Sequence, residues 1–137
     1  MIYSIGHRLP AKRQKAHVKS RADGTFASQI SDLSILENVP MCEIGSPDSA
    51  IALKMKCVEA HRDMWVGDGD EPAKYLAVFW LMESSSGLII QVGDDAKRLE
   101  EGDFIVFDDN VMHSIFSKNI WYGMAYQIAQ NEKEVQA

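Results

Sequence analysis

Three residues after position 60 have the side-chain types and the spacing that metal chemistry needs. His61 and Asp63 are separated by one residue, and residues i and i+2 of a strand project from the same face. An imidazole and a carboxylate would therefore point into the same space. His113 follows Asp63 by 50 residues, late in a region rich in strand-forming residues. If the sheet closes on itself, we expect His113 to face the first pair.

Two imidazoles and one carboxylate form the facial triad that non-haem Fe(II) oxygenases use. Three protein ligands leave three positions of an octahedral ion open for a bidentate cosubstrate and dioxygen. This donor set suits Fe(II) or Mn(II), whereas the two cysteines, Cys42 and Cys57, lack the spacing of a zinc site. The alternative interpretation is that H-x-D arises by chance and that both histidines are ordinary surface or core residues.

Short strands must position these side chains. From residue 50 onward the sequence alternates or runs apolar in short segments separated by turns, which predicts six or more strands. No crossover helix of the kind that joins parallel strands is visible, so the pattern favours an antiparallel sandwich or barrel. The SSSG turn at 84–87 predicts that 74–83 and 88–93 pair as a hairpin. Apolar residues near 30–36 predict one short helix.

Two segments, CVEAHRDMW and GLIIQVGDDAKRLEEGDFIVFDDNVMHSIF, resemble the double-stranded β-helix of Fe(II)/2-oxoglutarate-dependent dioxygenases. In that family an H-x-D motif and a strand pair precede a Gly-Asp-initiated strand that leads to the second histidine. Here Gly102 and Asp103 begin that strand, Phe107 ends it, and His113 follows six residues later. The order is also similar to that of prolyl-hydroxylase-type members, and the resemblance covers residues 52–128.

The resemblance implies a mainly β fold, a double-stranded β-helix of the jelly-roll or cupin-like type. We expect a single domain over 1–137, with a basic N-terminal segment at 1–22, a barrel core at 50–128 and at most one or two short helices. It also implies that His61, Asp63 and His113 hold the metal. Glu59 shares their parity, so it is either an acceptor for an imidazole N–H or an ordinary salt-bridged strand residue.

The cosubstrate that the resemblance implies is 2-oxoglutarate, whose distal carboxylate many members hold with a basic residue on the last strand. The last strand here, IWYGMAYQI, contains no basic residue. Lys74, which opens the aromatic strand 11 residues after Asp63, is the first candidate to replace it. Lys118, five residues after His113, is the second. Either lysine could instead be a solvated residue at a strand end.

The function that these features favour is an Fe(II)/2-oxoglutarate-dependent oxygenase that hydroxylates or demethylates a small-molecule or peptide substrate. One alternative is a cupin-like protein that binds a metal or a small molecule without oxygenase activity. Another is an interaction module without a metal. Because one fold can host many functions, the fold does not decide among them.

The charge is distributed unevenly along the chain, whose net charge is -6. Residues 1–22 carry six basic residues and no acid, while the rest carries the other eight basic residues and all 20 acids. A basic arm can bind phosphates, but no Phe, Tyr or Trp is interleaved with the basic residues of this one for base stacking, so a nucleic-acid partner is not favoured. No apolar run reaches a membrane span and no secretory signal is visible, so we expect a cytoplasmic protein with no membrane association.

Overall fold

Antiparallel strands dominate the structure. This computed structural model describes residues 2–45, 47–62, 75–108 and 110–129. Within these ranges neither helix is long and apolar enough to cross a membrane. In chain order the elements are β1 Ile2–His7, α1 Lys12–Ala22, β2 Ala27–Ile30, α2 Leu33–Leu36, β3 Ala50–Met55, β4 Val58–His61, β5 Tyr75–Glu83, β6 Leu88–Val92, β7 Asp95–Leu99, β8 Asp103–Asp108, β9 His113–Phe116 and β10 Trp121–Ala129.

The strands form two sheets that face each other. The larger sheet has the order β1-β8-β5-β10-β3-β2, and the smaller has the order β4-β9-β6-β7. Every described strand pair is antiparallel. The predicted mainly β, jelly-roll type of fold with two short helices is confirmed. β4 and β9, which carry the two candidate histidines, are neighbours in the smaller sheet.

The predicted hairpin across 84–87 is wrong. β5 pairs with β8 and β10 in the larger sheet, whereas β6 pairs with β7 and β9 in the smaller one. The SSSG turn therefore carries the chain from one sheet to the other. A turn sequence specifies a reversal of the chain, and a reversal serves equally well within a sheet or between two sheets about 10 Å apart.

Two apolar layers lie on either side of the larger sheet. Between the sheets, buried side chains such as Phe79, Leu81 and Ile90 form the barrel interior. On the outer face, Val78 and Trp80 pack beneath α1 and the residues that follow it. Both faces of β5 are therefore covered, which explains why this strand reads as a continuous apolar run rather than an alternation.

The basic N-terminal segment is folded onto the barrel. β1 pairs with β8, and α1 buries Val18 and Ala22 against the larger sheet. The charged side chains of this segment form hydrogen bonds and ion pairs with the rest of the protein. Arg8, Arg13 and Arg21 donate to the main-chain carbonyls of Asn38, Ser34 and Gln29, while Lys15 and Lys19 lie 3.5 and 2.9 Å from the Glu83 carboxylate.

The Gly-Asp pair that starts β8 has a local structural role. Gly102 has φ +92°, and a Cβ there would lie 2.7 Å from Cε1 of His7. Glycine is therefore required both by the backbone conformation and by the close approach. The Asp103 carboxylate accepts the Glu100 N–H at 2.7 Å and lies 2.7 Å from Nδ1 of His7. The motif thus closes a turn and sets the start of β8, which ends at Asp108, one residue beyond the predicted end at Phe107.

Candidate metal centre

His61 and His113 lie directly opposite each other. β4 and β9 are antiparallel, and the two residues are register partners. Their ring centroids are 4.3 Å apart, with 58° between the ring planes. Imidazole nitrogens bound to one ion at about 2.1 Å each are separated by no more than about 4 Å. Side chains held this close are compatible with both rings contacting the same ion.

The two rings have the same hydrogen-bonding arrangement. Nδ1 of His61 lies 2.8 Å from the Glu59 carbonyl, and Nδ1 of His113 lies 2.8 Å from the Val111 carbonyl. A carbonyl oxygen can only accept, so each Nδ1 donates a hydrogen, and a neutral ring then has its lone pair on Nε2. Metal-binding histidines are held in the same way, with the second nitrogen donating to a carbonyl or carboxylate.

The contribution of Glu59 comes from its main chain. The parity of the sequence suggested that its carboxylate accepts from an imidazole or forms a salt bridge. In the structure the carbonyl oxygen is the acceptor, and the Glu59 side chain is exposed.

A β-bulge brings His61 to the inner face of the barrel. Val58 pairs with Ile115 and His61 pairs with His113. Two residues therefore lie between the paired positions on β4, but only one lies between them on β9. The extra residue shifts the side-chain alternation, and both Val58 and His61 line the interior cavity. The sequence from 51 to 61, which alternates as if it were one strand, is also divided. β3 ends at Met55 in the larger sheet, and β4 starts at Val58 in the smaller one.

The two histidines differ in exposure. His113 is buried, at 8% exposed, and its ring lies edge-on to Phe107 with 4.9 Å between the centroids. His61 is exposed. One ring is therefore packed into the wall of the barrel, and the other lies where solvent or a ligand can reach it.

Both histidines line a cavity of about 530 Å³ between the sheets. Most of its wall is apolar. On the last strand, β10, the lining residues are Ala125, Tyr126 and Gln127, so the described part of that strand offers no cation to the cavity. The complete described lining is Ala27, Ser28, Gln29, Ser49, Ala50, Ile51, Leu53, Met55, Val58, His61, Ala77, Val78, Phe79, Ile90, Phe107, His113, Ile115, Ala125, Tyr126 and Gln127.

The structure brings together two of the predicted site residues. Asp63 and Lys74 lie outside the described residues, so their predicted roles stay predictions. Within the described ranges, no three His, Cys, Asp or Glu side chains converge as a metal-binding group.

Lys118 is not placed with the histidines. It is exposed and lines a separate groove of about 180 Å³, together with Arg98 and Phe116. β9 starts at His113 and ends at Phe116. At about 3.3 Å per residue, five residues carry the chain on the order of 16 Å away, to the opposite end of the strand. The five-residue spacing along an extended chain therefore places the side chains of His113 and Lys118 far apart.

The donors present fit a first-row transition metal. Imidazole ligands suit Fe, Mn, Co or Zn, and two such ligands leave room for a carboxylate and for exogenous groups. Asp63, two residues beyond His61, is the predicted source of that carboxylate.

Two features of the site went unrecognised in the sequence. Phe107 was identified only as the end of a motif, yet its ring packs on His113. Gln127 lines the cavity opposite Ala77, its register partner on β5. The signal for Gln127 was present as the one strongly polar side chain in the apolar sequence of the last strand.

Comparisons with known proteins identify the fold. No protein-family model and no curated protein sequence matches the chain. A prolyl-4-hydroxylase from Pseudomonas putida has a similar structure, with a TM-score of 0.59 and 10% identity over 93% of this chain and 92% of that one. AviO1 from Streptomyces viridochromogenes has a TM-score of 0.58 and 12% identity over 92% and 89%.

A cupin-2 domain protein from Shewanella frigidimarina is 20% identical, with a TM-score of 0.44 over 60% of this chain and 70% of that one. At these identities the likeness concerns the fold alone. The chain has a double-stranded β-helix, or jelly-roll, architecture.

Proposed function

We propose that this protein is a non-haem Fe(II)/2-oxoglutarate-dependent oxygenase that hydroxylates or demethylates a small-molecule or peptide substrate. The observation that carries the proposal is the pairing of His61 with His113 beside an apolar cavity. In each ring Nδ1 donates to a main-chain carbonyl, which is the arrangement found in metal-binding histidines. Asp63 is the proposed third ligand.

The protein itself would orient the metal ligands and exclude water from the cavity. Main-chain carbonyls orient both imidazoles, and Phe107 packs against the ring of His113. Apolar side chains from both sheets line the space where a substrate C–H bond would lie. Fe(II) bound at this site would supply a redox centre for dioxygen chemistry, with 2-oxoglutarate as the co-reductant.

The fold supports the proposal by analogy. The similar structure from Pseudomonas putida is a prolyl-4-hydroxylase, so this architecture at nearly the same length can carry a hydroxylase. The similarity in fold supports an oxygenase but does not assign the reaction, because many functions share this barrel.

A second candidate function is a cupin-like protein that binds a metal or a small molecule without oxygenase activity. It is favoured by the composition of the described cavity lining, which contains no Lys or Arg. A 2-oxoglutarate carboxylate in an apolar barrel needs a cationic partner. For the oxygenase, Lys74 is the proposed partner.

Two measurements on one preparation separate the candidates. Metal content is measured after anaerobic purification, and succinate formation is then followed by mass spectrometry with Fe(II), ascorbate and 2-oxoglutarate. The oxygenase predicts both bound iron and succinate, each lost in His113→Ala. Bound metal without succinate would favour the cupin-like binding protein. The absence of metal binding would contradict the oxygenase and would leave a cupin-like protein that binds a small molecule or an interaction module without a metal.

A further inference from the structure

We propose that a groove on the outer face of the smaller sheet binds an acidic peptide segment that carries an apolar side chain. This outer groove is formed by residues 86–89, Arg98 and residues 116–118, and its volume is about 180 Å³. It has no described lining residue in common with the cavity between the sheets. The proposal therefore concerns a docking partner and goes beyond the proposed oxygenase.

An apolar pair lies at the centre of the outer groove. Phe116 on β9 and Ile89 on β6 are register partners, so their side chains project side by side from one face of the sheet. That face points away from the interior, because the alternate residues Leu88 and Ile90 pack between the sheets. Phe116 is 63% exposed and Ile89 is 42% exposed. An apolar patch that is open to solvent and rimmed by polar residues is typical of an interaction surface.

Two cations lie beside this pair. Arg98 on β7 is the register partner of Ile89, and Lys118 lies in the connection between β9 and β10. The Arg98 guanidinium donates to the Glu100 carboxylate at 2.7 Å and to the Ser86 carbonyl at 2.8 Å, and it has further N–H groups for a ligand. Lys118 has no hydrogen-bond or ion-pair partner among the described residues. Because Glu100 offsets the charge of Arg98, Lys118 supplies a positive charge that is not balanced.

The outer face of the larger sheet shows how this protein covers such a surface. There α1 buries Val18 against the sheet, and Lys19 of the helix lies 2.9 Å from the carboxylate of Glu83 on β5. An apolar centre with ion pairs at its margin thus joins the helix to the sheet. In the outer groove the cations belong to the smaller sheet, so a segment that completes the same kind of contact carries carboxylates beside an apolar side chain.

The size and charge of the outer groove favour a short peptide over other ligands. Its volume is below the range of about 300–1,000 Å³ that small-molecule sites occupy. Membrane surfaces are recognised by clusters of about 4–8 basic residues, whereas only Arg98 and Lys118 are basic in the described lining. Residues 23–137 carry all 20 acids of the chain, so an extended acidic surface would be repelled around the groove. A short segment places its carboxylates only where the cations are.

The peptide acetyl-GESFSEG-amide is the probe for this groove. When it is extended, its two glutamates and its phenylalanine project from one face. Two matched peptides change one property each, since acetyl-GKSFSKG-amide reverses the charge and acetyl-GESSSEG-amide removes the ring. Binding is measured by amide NMR titration of the isotope-labelled full chain, which also locates the site. We expect the acidic aromatic peptide to shift the amides of 86–89 and 116–118 and to bind at least about fivefold more tightly than either matched peptide.

Variants separate the apolar and the charged contributions. Phe116→Ser and Lys118→Met should each weaken binding of the acidic aromatic peptide at least about fivefold, and the amide spectrum checks that each variant is folded. Leu33→Ser on α2 is the control for the ring, because Leu33 is also 63% exposed. Lys97→Met is the control for the charge, because Lys97 pairs with Ile90 and so projects from the other face of β7. Both controls should leave the affinity unchanged.

The remaining outcomes would overturn the proposal. These are no binding of the acidic aromatic peptide, equal binding of the charge-reversed peptide, or full affinity in a folded Phe116→Ser variant. Shifts confined to the residues that line the cavity between the sheets would place the peptide there instead. Shifts of 116–118 that depend on protein concentration without peptide would assign the groove to a second copy, and shifts only with phosphatidylserine vesicles would assign it to lipid. None of these readouts depends on Fe(II) binding or succinate formation, so the oxygenase is tested separately.

Discussion

His61 and His113 are cross-strand partners on β4 and β9, and each ring donates its Nδ1 hydrogen to the carbonyl of the residue two positions before it. Those carbonyls belong to Glu59 and Val111. The orientation of the two rings is therefore set by main-chain groups two residues earlier in the chain, on β4 for His61 and just before β9 for His113. Substitution of the Glu59 side chain should leave this arrangement in place.

The pairing predicts that each histidine contributes to metal affinity. His61→Ala and His113→Ala should each weaken Mn(II) or Fe(II) binding by at least about tenfold, because each removes one of a small number of ligands. Anaerobic calorimetry measures the change. His17→Ala on α1 is the control, since that ring is remote from the pair in the fold. Unchanged binding in either site variant would contradict the assignment.

Asp63 is predicted to be the anionic ligand. Asp63→Ala should lower metal affinity by an order of magnitude or more while the fold survives, because two imidazoles alone hold Fe(II) weakly. Asp95→Ala on the edge strand β7 provides a comparison in which a carboxylate is lost away from the site. Equal affinity in wild type and Asp63→Ala would show that Asp63 is not a ligand.

Lys74 is predicted to hold the distal carboxylate of 2-oxoglutarate. A charge-assisted hydrogen bond to a desolvated carboxylate is worth roughly 1.5–3 kcal/mol. Lys74→Met should therefore raise the apparent 2-oxoglutarate constant by about ten- to a hundredfold, with metal affinity nearly unchanged. Lys118→Met now serves as the control, since Lys118 lines a separate groove. An effect of Lys118→Met but not of Lys74→Met would reverse the assignment.

Gly123 is predicted to be required by the packing of the barrel interior. A Cβ at this position would lie 2.7 Å from Cε1 of Phe79 and 3.1 Å from Cζ3 of Trp121. Both rings are buried and packed edge-on to each other, so neither can move freely. Gly123→Ala should cost about 1–3 kcal/mol in urea unfolding.

A second substitution tests that explanation. Phe79→Leu removes the atoms that the new Cβ would meet, so the cost of Gly123→Ala should be smaller in the Phe79→Leu background. The same cost in both backgrounds would indicate that the conformation of the backbone, rather than the contact, requires glycine.

The pair formed by Lys19 and Glu83 predicts a pH dependence of stability. The hydrogen bond from Lys19 lowers the pKa of the Glu83 carboxyl, and the same bond raises the pKa of the Lys19 ammonium. The contribution of Glu83 is therefore present above about pH 4.5 and is lost as the pH falls through its lowered folded-state value. The contribution of Lys19 is present below about pH 10.5 and is lost as the pH rises through its raised value.

Glu83→Gln should lower the free energy of unfolding at pH 7 by only about 0.5–1 kcal/mol, because both side chains are about a third exposed. The difference between variant and wild type should shrink toward pH 3, as urea unfolding at both pH values would show. Glu100→Gln, in a more exposed pair with Arg98, should have a smaller effect. A constant difference from pH 3 to pH 7 would exclude the ion pair as its cause.

The sequence by itself determined the class of fold and the two histidines. Short alternating or apolar segments separated by turns are a local property, and they predicted an antiparallel sandwich or barrel. The Gly-Asp step that starts β8 was also identified, through the resemblance to a family motif. The structure supplies its physical reason, because Gly102 has a positive φ and lies close to His7. The choice of His61 and His113 rested on residue type and on the resemblance of the segments around them.

The tertiary structure alone decided how the site is assembled. The alternation of the sequence has a period of two, and a bulge between Val58 and His61 breaks that period by adding one residue. Whether a bulge forms depends on the partner strand β9, which is distant in the sequence. The same holds for the division of 51–61 between two sheets and for the placement of Lys118 away from the cavity. Local patterns fix which residues form strands, but cross-strand pairing fixes which side chains meet, because pairing depends on contacts between distant parts of the chain.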